Sequence, residues 1–425
     1  MGEKVYGLLG RKLGHSWSAP IHAALGCADY RLIELEPEEL GAFLAREDIG
    51  GLNVTIPYKR DVMAYCDVLD PMAEAIGSVN TLVRRADGKL YGYNTDAAGF
   101  CFMAQRAGIG FAGKKTLVLG SGGASLTAQC VLGELGAEVV VVSRSGADNY
   151  ENVYSHTDAA LIVNATPVGM YPKENLAPLH YLPHKTEYVF DAIYNPPVTA
   201  TMRLANPRKT ATRDGLYMLV MQAARAQTIW YGAQFADGAC DSILRRMYGQ
   251  MAVKRLHDKY HKRHIVLCGF MGSGKTTIGR KLARVTGLDF VDADLYLEEK
   301  EGMKISDIFA QKGEAYFRDR ETAYIRELSQ RDGIVLSLGG GAVLRPENVA
   351  AVKETGLLIH LDTPFYRILK NLSYSNSRPL LNRPDKQAET RRLYNARKAI
   401  YHRVSDTSVR SPKLSEVLDK VVKSV

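Results

Sequence analysis

Apolar residues along this chain fall into short runs closed by polar or glycine turns, and the runs alternate with stretches of helical period. From residue 116 onward the runs TLVLG (116–120), VVVVSR (139–144), LIVNAT (161–166) and YVFDAIY (188–194) are aliphatic or aromatic at most positions. Unbroken apolar character marks strands covered on both faces, as in a parallel α/β sheet. The first hundred residues repeat the theme in KVYGLLG (4–10), DYRLIELE (29–36) and GLNVTI (51–56), which predicts a separate, smaller α/β unit. A further strand, HIVLCGF (264–270), opens a third region. The stretch before it, MAVKRLHDKYHKRH (251–264), is polar and basic and reads as a helix tail running into a linker.

Two glycine-rich turns follow predicted strands and precede helical patterns. In LVLGSGGAS (117–125), Gly120, Ser121, Gly122, Gly123 and Ala124 form a turn that lets backbone N–H groups approach a pyrophosphate. The next strand ends in Ser143-Arg144-Ser145, about twenty residues on. A carboxylate there would accept the ribose 2′-hydroxyl of NAD, whereas an Arg pairs with the 2′-phosphate of NADP. The alternative is a surface Arg at a strand end. The second turn, Gly269 to Thr276, fits G-x-x-x-x-G-K-[ST]. There Gly272, Ser273 and Gly274 with Thr277 cradle phosphates, Lys275 reaches the β/γ oxygens and Thr276 ligates magnesium. In FVDAD (290–294), Asp292 and Asp294 lie two apart at a strand's end. One suits magnesium-bound water and the other accepts a hydroxyl proton, or both simply cap a helix.

Composition narrows the classes. A length of 425 residues predicts two or three domains. The six cysteines are scattered without a C-x-x-C pair, which argues for reduced thiols, a cytoplasmic setting and no zinc site. No apolar stretch approaches the roughly 20 residues of a membrane span. Residues 1–260 hold 26 basic and 26 acidic side chains, and residues 261–425 hold 29 and 20, so the whole excess is C-terminal. Those charges are spread as single Arg residues in a phosphate-handling domain, which speaks against nucleic acid. Small-molecule substrates are the expected partners, and the sequence sets no oligomeric state.

The N-terminal unit gathers polar residues in GHSWS (14–18), NVTIPYK (53–59), GSVNT (77–81) and YNTD (93–96). Hydroxyls and amides of this kind suit a polyhydroxylated ligand, and one Lys with one Asp suits proton transfer at a carbonyl or alcohol. Taken singly, each is a turn or capping residue. With GSGGAS, NATPVGM (164–170) and DGLYMLVMQ (214–222), these motifs make residues 1–250 resemble shikimate dehydrogenase. The resemblance implies that Ser16, Ser18, Asn53, Thr55, Lys59, Asn80, Asp96 and Gln222 surround shikimate, with Lys59 and Asp96 as the catalytic pair. It also places Tyr194, Gly215 and Met218 on the nicotinamide side. Two departures bear on the cofactor. Ser143-Arg144-Ser145 stands where the family commonly shows Asn-Arg-Thr, and Asp148 lies where a second basic residue is expected.

Residues 265–425 are similar to shikimate kinase, through the phosphate loop, the Asp292/Asp294 pair, Phe317-Arg318, Gly339-Gly340-Gly341, NSRPLL (376–381) and Arg397. The resemblance implies that Asp294, Arg318, Arg397 and the three glycines bind shikimate, Arg318 and Arg397 being apt for a planar carboxylate. It puts Arg378 in a lid over the phosphates and Arg410 on adenine. Asn371 departs from the basic lid residue of many relatives, with Lys370 as its expected substitute.

These resemblances imply an α/β protein in the following order. A shikimate dehydrogenase substrate domain (1–100, completed by helical 225–252) precedes a Rossmann-type NADP domain (101–224). A linker (253–263) leads to a P-loop kinase domain with a parallel sheet (264–425). The implied activities are NADPH-dependent reduction of 3-dehydroshikimate and ATP- and Mg2+-dependent phosphorylation of shikimate, on the way to chorismate and the aromatic amino acids. The alternative is a quinate/shikimate dehydrogenase fused to a kinase-like nucleotide-binding regulatory domain.

Overall fold

The structure, a computed structural model, describes residues 4–14, 16–373, 386–410 and 413–423. The chain divides into two compact units, Met1–Leu244 and Arg245–Val425. The first unit holds two sheets. Strands β1 Val5–Gly10, β2 Tyr30–Glu34, β3 Ile49–Val54, β4 Val68–Leu69, β5 Thr81–Arg84 and β6 Leu90–Tyr93 form the first, in the order β2-β1-β3-β5-β6-β4. Here β1 pairs parallel with β2 and β3, whereas β3 meets β5, and β5 meets β6, antiparallel. In that register Asn53 lies opposite Thr81, so β3 ends where β5 begins. The polar motifs of the sequence therefore converge on one edge of this sheet.

The second sheet is wholly parallel: β7 Lys115–Leu119, β8 Glu138–Val142, β9 Leu161–Asn164, β10 Tyr188–Asp191 and β11 Ala211–Arg213, in the order β11-β10-β9-β7-β8. Alternate residues of each strand feed opposite cores. Leu117, Leu119 and Val189 pack with Met202 on one face, while Val118, Val163 and Phe190 pack with Phe100 and Val131 on the other. Both faces are thus covered, which explains the unbroken apolar runs.

In the second unit β12 His264–Cys268, β13 Asp289–Asp292, β14 Ile334–Ser337, β15 Gly356–Leu361 and β16 Thr407–Val409 form a parallel sheet ordered β13-β14-β12-β15-β16. Its core joins Val266, Leu336 and Leu358 to the flanking helices through Ile308, Ile325 and Tyr401. The division differs from the expected linker at 253–263. A single helix, Asp237–Tyr260, runs through the boundary, and Met247, Met251, Ala252 and Leu256 are buried along it. At 3.6 residues per turn these four positions span about half the helix circumference, so the charged residues among them belong to a packed helix rather than a tether. Residues 245–252 accordingly belong with the second unit, not with the first.

Candidate active sites

In the first unit a cleft of about 1620 Å³ lies between the two sheets. Lys59 follows β3 and Asp96 stands in the first turn of the helix Thr95–Arg106, and they form an ion pair at 2.5 Å between Lys59 Nζ and Asp96 Oδ2. Their side chains are only 21% and 13% exposed. Asn94 fixes that turn by accepting from the Ala97 N–H at 3.1 Å.

Behind the pair lies a buried network of amides and hydroxyls. Tyr30 donates to Asn53 Oδ1 at 2.8 Å, and Asn53 Nδ2 donates to Thr81 Oγ1 at 3.1 Å and to Gln222 Oε1 at 3.4 Å. Asn80 Oδ1 accepts from the Thr95 N–H at 2.7 Å, and Thr95 Oγ1 lies 3.3 Å from Gln222 Oε1. His22 stacks on Tyr30 with ring centroids 3.9 Å apart, and Gln227 Nε2 lies 3.1 Å from its Nδ1. Burial pushes the His22 imidazole down to about 3, so a neutral ring backs Tyr30. The amide orientations of Asn53, Asn80 and Gln222 are thereby fixed before any ligand arrives. Tyr30, Thr81, Thr95 and His22 were not singled out in the sequence, although Thr81 and Thr95 sit inside GSVNT and YNTD.

Ser16, Ser18, Thr55 and Tyr194 also line this cleft, and Ser16 Oγ accepts from the Ser18 N–H at 3.2 Å. The Tyr194 hydroxyl meets the Trp17 backbone N–H between those two serines; burial raises its pKa and that contact works against the rise. The opposite wall carries Gly120, Ser121, Gly122, Gly123 and Ala124, with Ser143 and Arg144 beyond. Gly120 has φ 108°, and a Cβ there would lie 3.0 Å from Thr166 Cγ2, so only glycine lets β7 turn into the helix Gly123–Glu134. Gly122, Gly123 and Ala124, at the start of that helix, line the cleft, and a helix N-terminus suits an anion.

Gly215 and Met218 are not among the residues lining the cleft. A Cβ on Gly215 would sit 2.1 Å from the Ala192 carbonyl oxygen, and Met218 is buried against the helix that carries Asp96. Both lie behind the wall that Ala192, Tyr194 and Leu219 present. Two loops of that wall hang on Asp191 at the end of β10. Its carboxylate accepts from Asn164 Nδ2 at 3.1 Å, the Thr199 hydroxyl at 2.6 Å and the Ile193 N–H at 3.0 Å. Burial nevertheless lifts its pKa to about 6. Asp148 does not line the cleft; its carboxylate meets His156 Nε2 at 2.9 Å.

The second unit builds its site at the end of β12. Lys275 and Thr276 begin the helix Lys275–Thr286, and Lys275 Nζ donates to the carbonyls of Gly269 (2.9 Å) and Phe270 (3.1 Å). Thr276 Oγ1 donates to Asp292 Oδ2 at 2.9 Å. This hydroxyl and carboxylate are hard oxygen donors beside a phosphate loop, the set that suits Mg2+. Among the described residues no group of three or more His, Cys, Asp or Glu side chains is placed to hold a metal by itself. Ser273 is buried, and its carbonyl accepts from the Thr363 hydroxyl at 2.8 Å, while Thr277 is exposed. Asn371 Nδ2 donates to the carbonyl of Gly272, the central glycine of the loop, at 2.8 Å.

Across from the loop, Asp294, Arg318 and the three glycines come together. A Cβ on Gly339 would lie 2.4 Å from Asp294 Oδ1, and one on Gly341 2.7 Å from the Arg318 guanidinium. Arg318 is held by Glu321 at 2.8 Å, and burial raises the Glu321 pKa against the pull of Arg318. Arg397 NH1 and the Tyr401 hydroxyl both reach the Gly340 carbonyl, at 3.4 and 2.5 Å. Glu321 and Tyr401 had no signal in the sequence beyond their spacing of three and four residues from Arg318 and Arg397. Arg410 is exposed just after β16, and Arg378 lies outside the described residues.

Comparison with known proteins agrees with this division. Family models match at residues 8–82, "Shikimate dehydrogenase substrate binding domain", and at 271–425, "Shikimate kinase". The Clostridium perfringens protein named shikimate dehydrogenase (NADP(+)) is 37% identical over 268 residues, which is 57% of this chain and 98% of that one. The shikimate kinase of Psychrobacter cryohalolentis is 45% identical over 141 residues, 33% of this chain and 76% of that one. The chain belongs to the shikimate dehydrogenase family through its first unit and to the shikimate kinase family through its second. Among solved structures, shikimate 5-dehydrogenase from Thermus thermophilus, in complex with NADP(H) and shikimate, is 32% identical with a TM-score of 0.51, covering 57% of this chain and 99% of that one. No helix among the described residues is long and apolar enough to cross a membrane.

Proposed function

We propose that this chain catalyses two consecutive reactions, reduction of 3-dehydroshikimate to shikimate with NADPH and phosphorylation of shikimate to shikimate 3-phosphate with ATP, in the cytoplasm. The observation that carries the reading is that each unit holds its own charged arrangement beside its own glycine turn: Lys59–Asp96 in the cleft with Gly120–Ala124, and Asp294 two residues from Asp292, which accepts from Thr276 of the 269–276 loop. NADPH supplies the hydride, ATP the phosphoryl group, and Mg2+ neutralises charge on the phosphates.

In the first unit Ser16 and Ser18 hold the substrate's carboxylate end, and Asn53, Thr55, Asn80 and Gln222 hold its hydroxyls. As negative charge develops on the carbonyl oxygen, the Lys59 ammonium stands ready to give it a proton. Asp96 fixes that ammonium and bonds the neighbouring substrate hydroxyl. Tyr194 closes the nicotinamide side, and Arg144 selects the 2′-phosphate. Gly215 and Met218 act one layer back, supporting the Ala192 and Leu219 backbone.

In the second unit Arg318 and Arg397 grip the shikimate carboxylate, and the three glycines let Asp294 and Arg318 come close enough to share one small ligand. Asp294 accepts the proton of the attacking hydroxyl. Lys275 leaves the loop carbonyls for the β/γ oxygens, while Thr276 and Asp292 hold magnesium. Arg410 meets adenine, and Arg378 the phosphates.

The test is a single-pot assay on the full chain. With 3-dehydroshikimate, NADPH and ATP, NADPH oxidation, ADP release and shikimate 3-phosphate should appear in equal amounts. Failure of ADP release with added shikimate would reduce the second unit to a nucleotide-binding regulator. Faster turnover with quinate than with shikimate would change the substrate of the first.

A further inference from the structure

We propose that Tyr150 is a specificity-determining residue for the cofactor, its phenol hydroxyl donating to the 2′-phosphate alongside the Arg144 guanidinium. The inference rests on the NADP reading of the first unit. It starts from a shortage: a phosphate of nearly two negative charges presents three acceptor oxygens, and the turn after β8 supplies one cation, Arg144.

The loop geometry brings a second donor to the same place. The Ser143 N–H donates to the Asp148 carbonyl at 3.0 Å, closing residues 143–148 on themselves. Arg144 and Tyr150, six positions apart, therefore both line the cleft, together with Ser143. Asn149 and Asn152 lock the following turn, Asn149 Oδ1 accepting from the Glu151 N–H at 2.9 Å and Asn152 Nδ2 donating to the Ala147 carbonyl at 2.9 Å. The Tyr150 ring packs against the core beside Val142 and Val153, which fixes where its hydroxyl points. Neither that hydroxyl nor the Arg144 guanidinium has a hydrogen bond or ion pair among the described residues.

The two groups feel each other, since burial raises the Tyr150 pKa and the Arg144 charge works against the rise. A neutral phenol beside one guanidinium matches a phosphate better than a ribose hydroxyl, because its bond to a charged oxygen is the stronger of the two and it brings no second charge to desolvate. Asp148 bonds His156 Nε2 at 2.9 Å, and neither Asp148 nor Glu151 is among the residues lining the cleft. The Asp148 carboxylate is thus engaged away from the cleft wall that Arg144 and Tyr150 form.

The experiment measures KM and kcat for NADPH and NADH in the full chain, as wild type, Tyr150→Phe, Arg144→Ala and the double variant. Tyr150→Phe keeps the ring and removes only the donor. A hydrogen bond to a charged group predicts about a ten-fold rise in KM for NADPH, with kcat and the KM for NADH near their wild-type values. Inhibition by 2′-AMP should weaken in parallel and inhibition by 5′-AMP should not. In the Arg144→Ala background the Phe substitution should cost less, because the phosphate is no longer held in place. An unchanged KM for NADPH, or an equal rise for both cofactors, overturns the proposal. A wild-type enzyme that shows no preference for NADPH would instead overturn the NADP reading on which it stands.

Discussion

Gly339→Ala should cripple the kinase and spare the dehydrogenase. The added methyl would stand 2.4 Å from Asp294 Oδ1 and 3.0 Å from Glu321 Oε1. Non-bonded atoms settle near roughly 3.5 Å, so the Asp294 carboxylate must retreat by about 1 Å, and Glu321 blocks part of the space. Glu321 cannot easily yield, because it is 4% exposed and anchors Arg318 at 2.8 Å. Gly339 does not have a positive φ, so alanine brings no backbone strain and the effect is one of contact alone. A misplacement of about 1 Å at a reacting group costs on the order of 10²-fold in rate, or about 2.7 kcal/mol of barrier. The assay is shikimate-dependent ADP release, with NADPH oxidation by the same sample as the internal control and ATP affinity by calorimetry. Phosphorylation at the parent rate would show that Asp294 does not need the position the structure gives it.

Asp294→Asn should keep ATP affinity and lower the rate of phosphoryl transfer by about 10²–10⁴-fold, the usual contribution of a general base; wild-type turnover removes Asp294 from that role. Lys59→Ala should abolish the dehydrogenase and leave the kinase active on added shikimate, and Lys275→Ala should do the reverse, so that mixing the two variants restores the full conversion. Loss of both activities in either folded variant would refute the independence of the units. For Asp191 the folded pKa, about 6, lies above its ordinary 3.8. Its contribution to stability is therefore present below about pH 4 and is lost as pH rises toward 6, and Asp191→Asn should flatten this part of the melting-temperature profile. An unaltered profile would mean that the buried carboxylate does not titrate there.

Much of this site was legible because its chemistry sits in short, contiguous motifs. NVTIPYK and YNTD each deliver one charged residue at the end of an element, and the structure brings Lys59 and Asp96 together across 37 positions. The partners that orient them were not legible. Asn53 meets Gln222 from 169 positions away, and only the folding of the first sheet against a later helix creates that contact. Tyr30 and His22 lie outside the polar motifs, and only the fold sets them behind Asn53. Direction was hidden too: Gly215 and Met218 occur in a motif with a clear resemblance, yet they face the core, and Asp148 turns to His156 instead of toward the cleft. The supposed linker is a different case. Its composition is polar and basic, but Leu256 within it is buried, as are Met247 and Met251 earlier on the same helix.

Both sites solve the same problem of preorganisation with different means. In the first unit polar side chains are fixed by one another, through amides and hydroxyls whose donors and acceptors are already matched before the substrate enters. A hydride acceptor needs little electrostatic help until charge appears on one oxygen, and a single ammonium then answers it. In the second unit the groups are charged and held by counter-charges or by backbone: Arg318 by Glu321, Arg397 by the Gly340 carbonyl, Lys275 by the loop carbonyls. Phosphoryl transfer spreads charge over several oxygens, so positioned cations are what the reaction demands. Glycine serves the same end at two positions: a Cβ on Gly339 would meet Asp294 Oδ1 at 2.4 Å and one on Gly341 the Arg318 guanidinium at 2.7 Å, so a methyl at either would push a charged group from the place the fold holds it.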